Sequence, residues 1–277
     1  MTMWYFNLTF NSFFDLLLTP FRSLHPLWSL SILSLLMGIL MLMIYRYTSN
    51  QKEIKETKNR IKAHLLEIRL FKDDFGILLS AQKNILLYNT KYMMHALKPM
   101  LFMIVPVAII IIHLDGWFGY RPLTIGESTS VSVKISGQEA GIFSDIVLEV
   151  DRGLVIETPA LRIPELSEIT WRVRAKELGQ YNVIIKVSGH PFTKRVVVSD
   201  RGLTRVSPRV VASSLWEMFL NPGEKPLPEN SFVKQIEVYY PDRLIGIFGW
   251  EIHWIVIFFV LSIFWGFAFK GFFRVEI

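Results

Sequence analysis

Residues 27–45 read LWSLSILSLLMGILMLMIY, an uncharged apolar run with Trp28 near one end and Tyr45, Arg46 and Tyr47 at the other. About 20 mostly apolar residues suffice for a helix to cross a bilayer. Trp, Tyr and Arg collect at headgroup depth. The run therefore predicts a membrane-spanning helix. Two further windows share its character. Residues 100–114 (MLFMIVPVAIIIIHL) are flanked by Leu97, Lys98, Trp117 and Tyr120, and residues 250–269 (WEIHWIVIFFVLSIFWGFAF) are charged only at Glu251 and followed by Lys270 and Arg274. The middle window is short enough to be a buried core helix instead, but its interfacial flanks favour a span.

Composition agrees. The chain has 277 residues, 51% of them hydrophobic, 21 Phe and a mean hydropathy of +0.35, more apolar surface than a soluble domain of that size needs. This excludes a disordered chain and a nucleic-acid-binding tail. With no Cys there is no disulfide scaffold, thiolate metal site or Cys nucleophile. Residues 1–26 lack the cationic start and small-residue cleavage site of a signal peptide. Phe10 to Leu18, ahead of the helix breakers Pro20 and Pro26, is expected to be a helix lying in the membrane interface, or else an apolar overhang packed on the protein.

Charge sets the expected orientation. Residues 46–99 carry 11 Lys/Arg against 5 Asp/Glu, and Arg46, Lys52, Lys55, Lys58, Arg60 and Lys62 cluster just after the first run. Residues 115–249 carry 16 of each sign. Short basic loops stay in the cytoplasm, whereas long domains cross regardless of charge. The N-terminus is thus expected outside, the basic segment inside, the large segment outside and the C-terminus inside, in a bacterial inner membrane.

The basic segment has Ile54, Ile61, Leu65 and Ile68, then Leu78, Ile85 and Tyr92, at heptad-like spacing, interrupted by Lys72-Asp73-Asp74-Phe75-Gly76. Spans on both sides make it an antiparallel helical hairpin. Two readings stay open for it: a solvated structural element, or a basic arm that touches the ribosome, a nascent chain or anionic lipid.

After Gly126 the period becomes two. Strands are expected at 128–136, 142–150, 154–157, 168–175, 181–187 and 194–199, with turn signals between them, which predicts an Ig-like β-sandwich. Residues 212–220 suit a short helix, NPGEKPLPEN (221–230) a loop, and 232–239 a strand leading back to the membrane.

No Walker loop, GxSxG, HExxH or dinucleotide fingerprint is present, so no enzyme activity or cofactor is expected. His113, Asp115, Glu251 and His253 should share one depth. They are expected to be hydrogen-bonded polar groups at a boundary rather than a metal site, because no ligand spacing supports one. Within the spans the polar groups are Ser29, Ser31, Ser34 and Ser262, while Gly38 and Gly266 permit close helix approach. No ionisable residue sits at mid-membrane, which disfavours pumps and voltage sensors.

The order of elements, together with MMHALKPMLFMIVPVAIIII at residues 93–112, resembles the Oxa/YidC insertase superfamily. The likeness is to its small three-span members, the archaeal YidC-like proteins and subunit three of the ER membrane protein complex, over residues 27–117 and 250–275. The resemblance implies an insertase- or chaperone-like protein with no covalent chemistry. Arg46, Lys52, Lys55, Lys58, Arg60 and Lys62 would contact client, ribosome or lipid, and Ser29, Ser31, Ser34, Pro106 and Ser262 would line a membrane groove. The long outer domain departs from those relatives. It suggests an alternative, an accessory subunit of a larger membrane complex that docks a periplasmic partner. The expected organisation is thus an α+β membrane protein: an interfacial segment (1–26), a first span (27–46), the cytoplasmic hairpin (47–98), a second span (99–117), the extracytoplasmic sandwich (118–210), a linker (211–249), a third span (250–270) and a cytoplasmic tail (271–277).

Overall fold

Capping chemistry marks out the helices in the computed structural model, which describes residues 2–136, 146–187, 189–229, 231–247 and 249–276. Helix α1 covers Thr2–Leu18, α2 Pro26–Thr48, α3 Gln51–Leu70 and α4 Phe75–Phe118. Helix α2 begins on a proline, where a missing N–H costs nothing. The Asn50 side chain accepts from the Glu53 N–H at 3.3 Å and starts α3. Asp74 Oδ1 accepts from the Gly76 and Ile77 N–H groups at 2.9 and 3.1 Å and starts α4. Each cap satisfies donors that the first turn leaves orphaned.

The hairpin's second arm and the second apolar window are one helix, which corrects the expected boundary at residues 98 and 99. Helix α4 has 44 residues and carries Pro99 and Pro106 inside it. Each proline removes a single hydrogen bond, and the Leu, Met and Ala residues around Pro99 are strong helix formers. Helices α2 and α4 are long and apolar enough to cross a membrane. The third apolar helix is shorter than expected. Residues Trp250–His253 form a strand paired antiparallel with Leu244–Ile247, through a turn at Gly249 (φ +85°), so the helix covers only Trp254–Phe269, 16 residues.

The chain divides into two compact units, residues 30–109 with 256–277, and residues 1–29 with 110–255. In the first, Glu53 faces His95 (3.3 Å) and Arg60 Nη1 donates to Tyr88 Oη (2.8 Å). Both pairs are centred on residue 74, as an antiparallel hairpin with its tip there requires. Among the partly or fully buried positions, 54, 57, 61, 64 and 68 on α3 and 78, 81, 85, 88, 92, 95 and 99 on α4 form one series. Their alternating steps of three and four are those of a coiled coil. Leu65, expected in this seam, is 52% exposed; Thr57 and His64 occupy the places between the isoleucines.

The second unit is an antiparallel β structure. Its strands are β1 Ser128–Ile135, β2 Val147–Val150, β3 Leu154–Ile156, β4 Leu161–Ile163, β5 Glu168–Ala175, β6 Gly179–Val187, β7 His190–Val198, β8 Arg209–Val211 and β9 Val233–Val238, followed by the 244–247 and 250–253 hairpin (β10, β11). One sheet runs β3-β5-β1-β9-β8 with β4 also on β5, and another runs β2-β6-β7. Val131, Val133, Ile169, Trp171 and Val173 of the first share one core with Leu148, Val183, Ile185, Val196 and Val198 of the second. Strand β1 lies inside its sheet, between β5 and β9, whereas the first strand of an immunoglobulin-type sandwich lies at an edge. Residues 142–145 of one expected strand, together with Gly137 and Ser188 of the expected turns, lie outside the described residues.

Two expected boundaries change here. Strand β9 pairs with β1 and buries Val233, Ile236 and Val238, so the β unit does not end at residue 210 and residues 211–249 are not a linker. Helix α1 packs on helix α5 (Leu215–Leu220): Asn7 and Asn11, one turn apart, donate to the Met218 and Pro222 carbonyls at 2.8 and 2.7 Å. The N-terminal helix thus packs one face on the protein, while Leu8, Phe13 and Leu16 stay exposed on it.

Arg121 and Glu127 brace the entry to β1 through two bonds of 2.8 Å. The hydrogen-bonded guanidinium pulls the Glu127 carboxyl from its usual 4.5 to about 2. A carboxyl depressed on folding stabilises above its unfolded value and loses that contribution as pH falls through the folded one. Wild type should therefore exceed Glu127→Gln by about 1 kcal/mol above pH 4.5, as for a partly exposed pair. The gap should close towards pH 2 in thermal melts followed by circular dichroism.

Candidate functional site

The cations of α3 divide by the face they occupy. Lys52, Lys55 and Lys62 are exposed, at helical spacing, on one side of the helix. Lys58 is half-buried and lies 3.7 Å from Glu276. Arg60 turns instead toward α4, donating to Tyr88 and standing 5.4 Å over its ring, while His64 stacks on the same ring at 5.6 Å. Arg46 is exposed in the last turn of α2. The structure thus gathers three of the six expected contact cations on one open face and uses Arg60 to hold the hairpin closed. The C-terminal segment helps fix the root of the hairpin: the Glu276 N–H donates to Gln51 Oε1 at 2.7 Å, and Val275 joins Leu42, Tyr45 and Ile54 in a small core.

Two of the serines, Ser34 and Ser262, lie at a tight helix crossing. Ser34 Oγ donates to the Phe258 carbonyl at 3.3 Å, between α2 and α6 (Trp254–Phe269). At the same crossing a Cβ on Gly38 would lie 2.9 Å from the Ser262 carbonyl oxygen and 3.1 Å from the Gly266 nitrogen. Backbones this close leave no channel at that crossing. Ser29 is buried, Ser31 and Ser262 are half-buried, and Pro106 is a half-buried position within α4.

The boundary cluster separates only in part: Asp115 and His253 stay within electrostatic reach of each other, whereas His113 and Glu251 lie elsewhere. His113 is buried among the rings of Phe6, Phe10 and Phe14, at 6.3, 5.2 and 6.2 Å. Glu251 lies exposed in β11, opposite Gly246. Among the described residues no group of three His, Cys, Asp or Glu could hold a metal ion.

One feature escaped the sequence reading. Helix α4 carries a second heptad series one residue beyond the seam: Leu79, Leu86, Met93 and Met100, widened by Leu87, Met94 and Leu101. All seven are exposed, Met93 by 61%. The stripe runs from the hairpin into the apolar half of the same unbroken helix. The signal was available: two apolar series offset by one residue demand a face wider than a single partner helix covers. On the hairpin part of the stripe, outside the apolar half of α4, an exposed apolar face of this kind marks an interaction surface, and methionine side chains adapt to varied apolar partners. Set against protein-family models, curated proteins and solved structures, the chain matches none.

Proposed function

We propose that the protein is a three-span bacterial inner-membrane protein, N-terminus outside and C-terminus in the cytoplasm, that assists insertion or assembly of membrane clients, as the resemblance to the Oxa/YidC insertases implies. The observation that carries this reading is the exposed Leu/Met stripe of α4, continuous from a basic hairpin into an apolar helix long enough to cross a membrane. A client's apolar segment would rest on the stripe while Lys52, Lys55 and Lys62 hold the hairpin near anionic lipid, each cation contributing about 1 kcal/mol at the surface. The client would leave water along α4 without passing between tightly crossed α2 and α6. No bond is made or broken. The physical step is a lower cost for carrying polar flanks past hydrocarbon.

The test uses ribosomes stalled with one apolar segment exposed. A photo-crosslinker at Leu86 or Met93 should capture that segment, and one at the exposed Ala63 of α3 should not. Changing Lys52, Lys55 and Lys62, the cations of the open face, together to Gln should weaken association several-fold while helix content stays nearly constant, because Gln and Lys have similar propensities. The loss should shrink as salt rises. Equal capture at all three positions, or unchanged association, would reject the reading. The accessory-subunit alternative is favoured by Leu215 and Trp216 of α5, which is 67% exposed at the tryptophan. It requires one stable partner whose co-purification is lost on Trp216→Ser.

A further inference from the structure

The second unit contains a cavity of about 220 Å³ whose charge its own residues leave unbalanced. Arg22, Arg195, Arg205, Asp15 and Glu224 line it, with Thr204 at the wall. Glu224 is committed to Lys194, whose ammonium it accepts from, and to the Arg195 N–H at 3.1 Å. Asp15 is shared with Arg205, Nη2 to Oδ2 at 3.4 Å. Among the described residues Arg22 and Arg195 have no carboxylate within ion-pair distance. Arg205 Nη1 and Arg22 Nε are buried without a hydrogen-bond partner, and so is Asp15 Oδ1. Buried charged donors left unpaired are costly, and they point to a group that completes them. The Arg22 guanidinium is also held in place, 5.2 Å over the Trp117 ring.

We propose that this cavity binds a phosphate-type oxyanion that also carries a hydroxyl. The oxyanion accepts from Arg22, Arg195 and Arg205, whose planar forks match phosphate oxygens. The hydroxyl donates to Asp15 Oδ1. The volume suits such a group and is below that of sites for drug-sized ligands. Burial depresses the Arg205 guanidinium below its ordinary value, Asp15 opposes this, and the Arg195 and Arg22 charges add to the depression, so a bound anion relieves the crowding. Two sources supply this chemistry, a free phosphate or a glycerol phosphate headgroup of a lipid. Arg22 shortly precedes Pro26, where the apolar helix α2 begins.

The full chain in detergent is titrated with inorganic phosphate and with glycerol 3-phosphate by calorimetry. Retention of phosphatidylglycerol against phosphatidylcholine is followed by native mass spectrometry. Saturable one-to-one binding of at least one of the three anionic probes is expected. Binding of the soluble probes identifies a free phosphate, and retention of phosphatidylglycerol alone identifies a headgroup. Arg22→Gln and Arg195→Gln should each weaken binding at least tenfold, and Lys52→Gln should not. Arg195 is exposed and without an ion pair, so its variant keeps the test valid if the Arg22 variant unfolds. No saturable binding by any probe, or binding unchanged by Arg195→Gln, would overturn the proposal.

Discussion

Glu224→Gln should destabilise the β unit by about 3–5 kcal/mol, the range for breaking a buried ion pair by removing one partner. The Lys194 side chain is 0% exposed and Glu224 14%. The ammonium also donates to the Ser207 and Arg195 carbonyls at 2.6 and 3.1 Å, which leaves it bonded but uncompensated once the carboxylate is gone. Burial already holds the Lys194 ammonium below its usual 10.5, with Glu224 opposing the shift. The folded state therefore binds this proton less tightly than the unfolded chain, and stability rises with pH up to the free-lysine value. In the variant the opposition is lost, so its deficit should narrow as pH is raised toward 10.5. Removing both charges, with Lys194→Met and Glu224→Gln together, should recover much of the loss, because methionine fills the lysine stem's space without a charge to desolvate. Denaturant melts of the four chains at pH 7 and pH 10 give the coupling directly. A single variant that melts with wild type would show that the carboxylate does not compensate the ammonium.

That pair also marks where the sequence was legible and where it was not. The inward positions of β7 are Phe192, Lys194, Val196 and Val198, so strict alternation assigns a lysine to the core. What it cannot assign is the partner, which comes from a loop between β8 and β9. The same limit hid β9. Its residues read as a strand, but its place beside β1 depends on register between segments about a hundred residues apart, which local pattern does not carry. Local signals fared better. The uncharged run became α2 and the Asp74 cap became the hairpin tip, because both are decided within a turn or two of chain. The hairpin seam was half legible. Ile54, Ile61 and Ile68 announce themselves as apolar, but the alternate places hold Thr57 and His64, polar residue types that look like surface residues in the sequence. Leu65 was drawn into the seam for being apolar. The cations were read as one group since charge is visible in sequence and helical face is not until the seam is fixed, which is why Arg60 was counted among them.

The crossing of α2 and α6 gives a second large effect, with an opposite sign at two glycines. Gly38→Val should cost about 3 kcal/mol, at the upper end for overpacking. The new side chain would meet the Ser262 carbonyl oxygen and the Gly266 nitrogen, backbone atoms that no rotamer change can move aside, and the Trp265 Cβ at 3.3 Å. On an isolated helix the loss of a glycine gains up to about 1 kcal/mol, so the clash must exceed that gain to give the expected sign. Gly266 supplies the control. A Cβ built there meets nothing within 4 Å, so Gly266→Ala should leave stability unchanged or raise it slightly. Unfolding of the full chain in mixed micelles of rising denaturing-detergent content, followed by helix circular dichroism, separates the two. The outcome bears on function as well as packing. If Gly38→Val unfolds early while Gly266→Ala does not, α2 and α6 are locked backbone to backbone, and the client proposed above would have to travel on the outer face of α4. If Gly38→Val is as stable as wild type, the crossing is loose enough to part, and a path lined by Ser34 and Ser262 becomes open to a client after all.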